Sequence, residues 1–239
     1  MKKHSIVIAA MLLLFSCKKT SESEQKFNSS LSGTIANTTS GKLYLERLID
    51  STLMVVDSVS LDGKSDFAFY FDLEDPEMIY IYYEKDTNIP IEDGLSVFME
   101  QGEITLNTSI ENFYQDAVVT GSANHDKLVE YQKLMKRFQD KNLDLIRDMY
   151  LAEKDNDAEK ILEINRQYQS LMTSKYMGTV NFALNNNDFE ISPYLALYEV
   201  FDINTKYLDT IYNGLTPKVK SSTYGKLLEK YIVQRKELN

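Results

Sequence analysis

The stretch VVTGSANHDKL, residues 118–128, is where the chain changes its period. Upstream of it, apolar residues alternate or form short runs bounded by turn residues, the pattern of strands. Downstream they recur at spacings of three and four, the pattern of amphipathic helices. Gly121 marks the break, and Ser122 or Asn124 offers a side-chain oxygen to cap the first helix. The expected fold is α+β, with a β-sandwich over residues 27–120 and an all-α domain over residues 121–239.

Working upstream, strands are expected at Leu31–Ala36, Lys42–Leu48, Met54–Leu61, Phe67–Phe71, Met78–Tyr83, Ser96–Glu100, Glu103–Thr108 and Gln115–Val119. About eight antiparallel strands at roughly ten-residue spacing read as a sandwich. Asp62-Gly63 is a hairpin turn signal, and Gly102 joins two strands tightly. FAFYF (67–71) and MIYIYY (78–83) are apolar on both faces, which marks them as central strands. Burial in the sandwich core is the first expectation for Tyr80, Tyr82 and Tyr83, and an exposed binding stripe is the second.

Working downstream, Leu128, Tyr131, Met135, Phe138, Asn142, Leu145, Met149 and Ala152 form a coiled-coil-like seam on one long helix. Asp155-Asn156-Asp157 breaks it. A second long helix spans about Ala158–Leu184, with Ile161, Leu162, Tyr168, Met172, Tyr176, Val180 and Ala183 on its inner face. The short turn makes the pair a long antiparallel hairpin. Shorter helices are expected from Pro193 to Phe201, from Thr205 to Tyr212 and from Pro217 to Lys236.

Charge divides at the same boundary. Residues 27–120 hold 4 Lys/Arg against 17 Asp/Glu, whereas residues 121–239 hold 17 of each. The acidic strand half either serves solubility or presents a face to a basic partner or divalent cation. A net charge of −10 excludes nucleic acid as a partner, because such binding needs Lys and Arg to displace counterions. One cysteine excludes an internal disulfide, a CxxC redox pair and a thiolate zinc site. Two histidines exclude a three-His metal centre. No cofactor or metal site is expected.

At the N-terminus, Lys2 and Lys3 precede ten apolar residues, Ile6–Phe15. Such a run is roughly 15 Å long as a helix, half a bilayer core, and so reads as a signal peptide and not a span. Leu14-Phe15-Ser16-Cys17 resembles the lipobox of bacterial lipoproteins. That resemblance implies cleavage between Ser16 and Cys17, acylation of Cys17, and stable anchoring through several acyl chains. Residues 1–16 are then the signal peptide, and the polar residues 17–26 are a flexible tether. Lys18 and Lys19 replace the aspartate that retains members of that family at the inner membrane. The resemblance thus implies an outer-membrane lipoprotein, facing either the periplasm or the surface.

FNSSLSGTI (27–35), GKLYLERL (41–48), VVDSVSLDGK (55–64), the turn at Pro76, FMEQGEITL (98–106) and VTGSANHDKL (119–128) together resemble a known module. It is the N-terminal β-sandwich domain of unknown function of bacterial envelope lipoproteins with thioredoxin-like domains of the alkyl hydroperoxide reductase/thiol-specific antioxidant type. FEISPYLALYEV (189–200) and LTPKVKSSTYGKLLEKYI (215–232) resemble the helical segment that precedes the thioredoxin domain there. No CxxC occurs in this chain, and disulfide exchange needs an attacking and a resolving thiol. The resemblance therefore implies the accessory part without the enzyme, and no catalytic residue carries over.

The remaining candidates are weaker. His125, read as a surface residue in the first turn of a helix, has Ser122 and Asp126 near it, but these residues read as caps, not a triad. Asp72, Glu74, Asp75 and Glu77 flank Pro76, and Asp86, Glu92 and Asp93 follow. Paired carboxylates would make a hydrolase, and solvated turns would leave them inert. Asp50-Ser51-Thr52, Asp57-Ser58-Val59 and Asp209-Thr210-Ile211 fit a short O-glycosylation pattern. The leading expectation is a non-catalytic, lipid-anchored envelope protein that binds another envelope protein, accessory to thiol–disulfide oxidoreductases. Asp72, Glu74, Asp75, Tyr80 and Tyr82 are its candidate binding residues. The alternatives are a glycan or small-ligand binder and, third, a carboxylate hydrolase.

Overall fold

The computed structural model describes residues 27–49, 52–85, 89–90 and 94–238. Ser16, Cys17 and the whole expected leader and tether lie outside the described residues, as do Asp50, Ser51, Asp86, Glu92 and Asp93. The strands are β1 (Ser29–Ala36), β2 (Lys42–Ile49), β3 (Thr52–Ser60), β4 (Asp66–Phe71), β5 (Glu77–Lys85), β6 (Ile89–Pro90), β7 (Leu95–Met99), β8 (Gly102–Ser109) and β9 (Val118–Thr120). The helices are α1 (Ala123–Lys154), α2 (Ala158–Asn185), α3 (Ile191–Tyr198), α4 (Thr205–Gly214), α5 (Pro217–Ser221) and α6 (Thr223–Glu237). The architecture is α+β, a sandwich followed by helices.

One sheet has the order β4-β1-β8-β9 and the other β3-β2-β5-β6, with β7 also pairing β5. Alternate residues from both sheets meet between them. Leu31, Ile35, Leu43, Leu45, Phe69, Ile79, Ile81, Val97 and Ile104 are buried there. Each such side chain contributes about 1.5–3 kcal/mol by leaving water. One pairing departs from the antiparallel expectation. β1 and β8 run parallel, from Ser29↔Gly102 to Ala36↔Ser109.

The two aromatic strands part company. MIYIYY lies in β5, between β2 and β7, and is central as expected. FAFYF lies in β4, at the edge of its sheet. Its outward aromatic residue, Tyr70, stacks on Phe27 with ring centroids 6.4 Å apart, and so needs no covering layer. Within β5, Ile79, Ile81 and Tyr83 point into the sandwich, while Met78 and Tyr80 pack with the helices. Of the three tyrosines only Tyr83 enters the sandwich core. The strand expected at Gln115–Val119 is shorter and later, because a turn occupies residues 111–116.

Ser122 is the N-cap of α1 and Asp157 that of α2. Asn156 takes a left-handed φ of +54° between the helices, a conformation asparagine tolerates better than most residues. Leu128, Tyr131, Met135, Leu145 and Ala152 are buried along α1, as the seam predicts. Leu162 and Tyr168, expected on the inner face of α2, are exposed instead. α2 contacts α1 there through Ile161, Ile164 and Leu171. The helix expected from Pro217 breaks at Ser222, whose extended backbone ends α5 and whose hydroxyl oxygen accepts from the Gly225 amide to start α6.

The helices hold a core of their own, including Val180, Ala183, Val200, Leu208, Ile211 and Leu228. A third cluster is shared: Met78 and Phe98 from the sandwich pack with Leu128, Tyr131, Met135, Ile191, Leu195 and Tyr224.

β1 presses so closely on β8 that a Cβ on Gly33 would overlap the Leu106 carbonyl oxygen. Gly33→Ala is expected to lower stability by about 3 kcal/mol or more, because backbone must move. Gly178→Ala in α2, where the nearest atoms lie at 3.6 Å, is expected to be neutral or to gain up to ~1 kcal/mol. Urea denaturation of the two variants checks both.

Candidate functional site

The first turn of α1 sits on β7. β7 pairs β5 along one side, so the backbone groups of its other side need partners. The Ser122 hydroxyl donates to the Phe98 carbonyl at 2.6 Å, and the Phe98 amide donates to His125 Nδ1 at 3.3 Å. The His125 amide returns to Ser122 Oγ at 3.0 Å, which is the helix cap itself. Glu100 accepts from the Asn124 amide. The Asn124 side chain then reaches α3: its Nδ2 donates to Glu190 Oε2 at 2.8 Å, and its Oδ1 accepts from the Ile191 amide at 2.9 Å. Glu190 is buried, and its other oxygen has the Lys218 ammonium at 3.5 Å. Second, the Met78 amide donates to the Tyr224 hydroxyl at 3.0 Å, tying β5 to α6. Burial pushes the Tyr224 and Tyr194 hydroxyls far above their ordinary titration range. Both stay neutral.

The expected surface position of His125 is therefore corrected. It is 8% exposed, because the cap seats its ring against β7. The ring also borders a cleft of about 80 Å³ shared with Leu95, Ser96, Tyr114 and Gln132.

The acidic candidates share the loop between β4 and β5, where each has a structural contact. Asp72 Oδ1 accepts from the Asn28 amide at 3.0 Å. Asp75 Oδ2 accepts from both the amide and the hydroxyl of Thr223 at 2.8 Å, at the N-terminus of α6 where a carboxylate is favoured. Glu74 is exposed, and its carbonyl lies 3.4 Å from Gln101 Nε2. Glu77 pairs with Arg47. Among the described residues no three His, Cys, Asp or Glu come together to hold a metal ion.

Tyr80 and Tyr82 lie on the outer face of the β3-β2-β5 sheet. Strand register places Val55, Glu46, Tyr80 and Ser96 in one row across four strands, Tyr44 beside Tyr82 in a second, and Leu48 beside Leu53 in a third. Helices cover the β5–β7 half of this face through Met78, Tyr80 and Phe98. The β2–β3 half is open. Leu48 is 40% exposed, Leu53 42% and Val55 53%. Tyr44, Tyr80 and Tyr82 are half-buried beside them, and Tyr198 of α3 is 41% exposed at the margin. β3 is also an edge strand, with neither Lys nor Pro between Thr52 and Ser60 to discourage pairing. Tyr80 and Tyr82 are candidates from the sequence alone; Leu48, Leu53 and Val55 are not. The signal available was the run LMVV, which is apolar at positions where a half-solvated strand alternates.

His125 makes the junction pH-sensitive. Burial holds its imidazole below the usual 6.5, and the charge of Asp126 opposes this only in part. A protonated Nδ1 cannot accept from the Phe98 amide. The unfolded chain takes up the proton first as the pH falls below 6.5, so the contribution is full above that value and is lost towards the depressed folded value. Urea midpoints measured from pH 8 to pH 5.5 are expected to fall in the wild type. The curve should be flatter for His125→Gln, whose amide oxygen can still accept.

No helix among the described residues is long and apolar enough to cross a membrane. No curated protein and no solved structure matches the chain. One family model does match, described as a domain of unknown function (DUF4369), over residues 29–128. The match ends six residues into α1, so it takes in the sandwich and the capped turn that seats α1 on β7. The part of the chain similar to this family model is thus the sandwich together with the seat of its first helix.

Proposed function

We propose that this is a non-catalytic, lipid-anchored envelope protein whose sandwich binds another protein. The observation that carries it is the open half of the outer sheet face, where Leu48, Leu53 and Val55 stand exposed beside half-buried tyrosines. A contiguous apolar patch with aromatic neighbours is the usual composition of a binding surface. The polar residues of the tether suit display of this face away from a lipid anchor at Cys17. An envelope thiol–disulfide oxidoreductase is the partner class that the sequence resemblance favours, with the acidic strand half steering a basic surface towards it.

A second reading has a specific observation behind it. Tyr44 and Tyr82 are neighbours on this outer face, with Tyr80 beside them where the helices begin to cover it, an arrangement that suits a sugar ring or other flat small ligand.

A photo-crosslinking side chain placed at Leu53 of the full chain in cells is expected to give one discrete protein adduct. The adduct should vanish when Val55→Asp is added, a change at an exposed position that leaves the fold intact by circular dichroism. No discrete adduct, or one indifferent to Val55→Asp, overturns the protein-binding reading. A glycan-array signal lost in Tyr82→Ala would establish the second.

A further inference from the structure

The distal part of the α1–α2 hairpin stands apart from both large cores. Its small cluster of Leu145, Ala152 and Ile164 is supplied by the two helices alone. A two-helix arm of this kind buries one seam and leaves a flank of each helix in water. On α1 that flank carries Lys136, Gln139, Leu143, Ile146, Tyr150 and Glu153, at alternating spacings of three and four. All six are exposed, the three apolar ones at 64%, 56% and 66%. The side chains of Lys136 and Glu153 have no hydrogen-bond or ion-pair partner among the described residues.

The end charges and the central apolar pair of this flank read the same in both directions once charge is exchanged, while Gln139 and Tyr150 form one unlike pair. An antiparallel copy with its two-fold axis between Leu143 and Ile146 sets Leu143 opposite the second copy's Ile146. It sets Gln139 opposite the other Tyr150, and Lys136 opposite the other Glu153. The apolar pair lies at the centre and opposite charges meet at both ends. The flank also borders two grooves. One, of about 390 Å³, lies between the helices towards the tip and includes Ile146, Tyr150, Ile164 and Tyr168. The other, of about 730 Å³, lies nearer the body and includes Lys136, Gln139, Leu143 and Lys175. Antiparallel docking brings the tip of each arm to the groove nearer the body of its partner.

We infer that the arm is a homodimerisation element, in which two α1–α2 hairpins pack across this flank into an antiparallel four-helix bundle. The occupant is a second copy of this chain because the flank complements itself in its end charges and in its central apolar pair. A two-fold interface requires that of a surface. The stretch from Lys136 to Glu153 spans about 26 Å of helix, enough for a continuous seam from each copy. Opposite charges at the two ends offset, at the contact itself, the repulsion expected between two acidic chains.

Sedimentation velocity of the full chain in mild detergent tests this. A concentration-dependent dimer is expected. Ile146→Asp, at an exposed position, should give a monomer of unchanged helicity. Lys136→Glu and Glu153→Lys should each weaken the dimer roughly tenfold, since each affects two symmetry-related pairs. The double reversal should regain wild-type affinity, because it exchanges the charges without changing their complementarity. Val55→Asp on the sandwich face should leave the dimer intact, which separates this interface from the sandwich surface. A wild-type chain that is monomeric at roughly 100 μM, a dimer indifferent to Ile146→Asp, or a double reversal as weak as the single variants would overturn the assignment.

Discussion

Everything above the sandwich rests on how one residue of β7 is satisfied. Phe98 stands opposite Met78 of β5, and both of its backbone groups are taken by the first turn of α1: the carbonyl by Ser122, the amide by His125. A helix cap normally satisfies only its own helix. Here the same serine caps α1 and closes a sheet edge, which fixes both where the helix begins and the direction it leaves. Asn124 extends the arrangement by joining that turn to the start of α3. The Phe98 ring then fills the space beneath, edge-on to Tyr194 and Tyr224 with centroids 5.6 and 6.0 Å away.

The two borders of this sheet are treated in opposite ways. The β7 border is covered by a helix, and its outer face is dry and aromatic. The β3 border is bare, and its outer face offers leucine and valine to solvent. Exposing apolar side chains costs solubility, and an acidic sandwich offsets that cost. The charge excess of the strand half and the open apolar face are thus parts of one balance. The helical half has no such excess, and its own exposed apolar residues lie between charges of both signs.

The boundary at Gly121, the alternation of most strands and the seam of α1 could be read from sequence because each is set by periodicity within a few residues. What could not be read depends on neighbours remote in the chain. FAFYF and MIYIYY look alike as strings, but one borders its sheet and the other is sandwiched, since only the second meets the helices. His125 looks like any polar residue of a first helical turn, and its burial follows from β7, some 27 residues earlier. Tyr80 and Tyr82 were legible as candidates, but the leucines and valine beside them became visible only once register placed β2 and β3 in the same rows. Leu162 and Tyr168 fit a seam by spacing, yet α2 uses a neighbouring stripe.

The parallel pairing of β1 with β8 has a kinetic consequence. β1 meets β4 through about 35 intervening residues, but its other side is completed only when a strand more than 70 residues later arrives. Closing that long loop is slow compared with forming a helical hairpin from adjacent segments. During synthesis and folding, the middle of one sheet is therefore for a time its border, with glycine at position 33 keeping the backbone accessible for its last neighbour. The strand nearest the N-terminus is among the last to be enclosed.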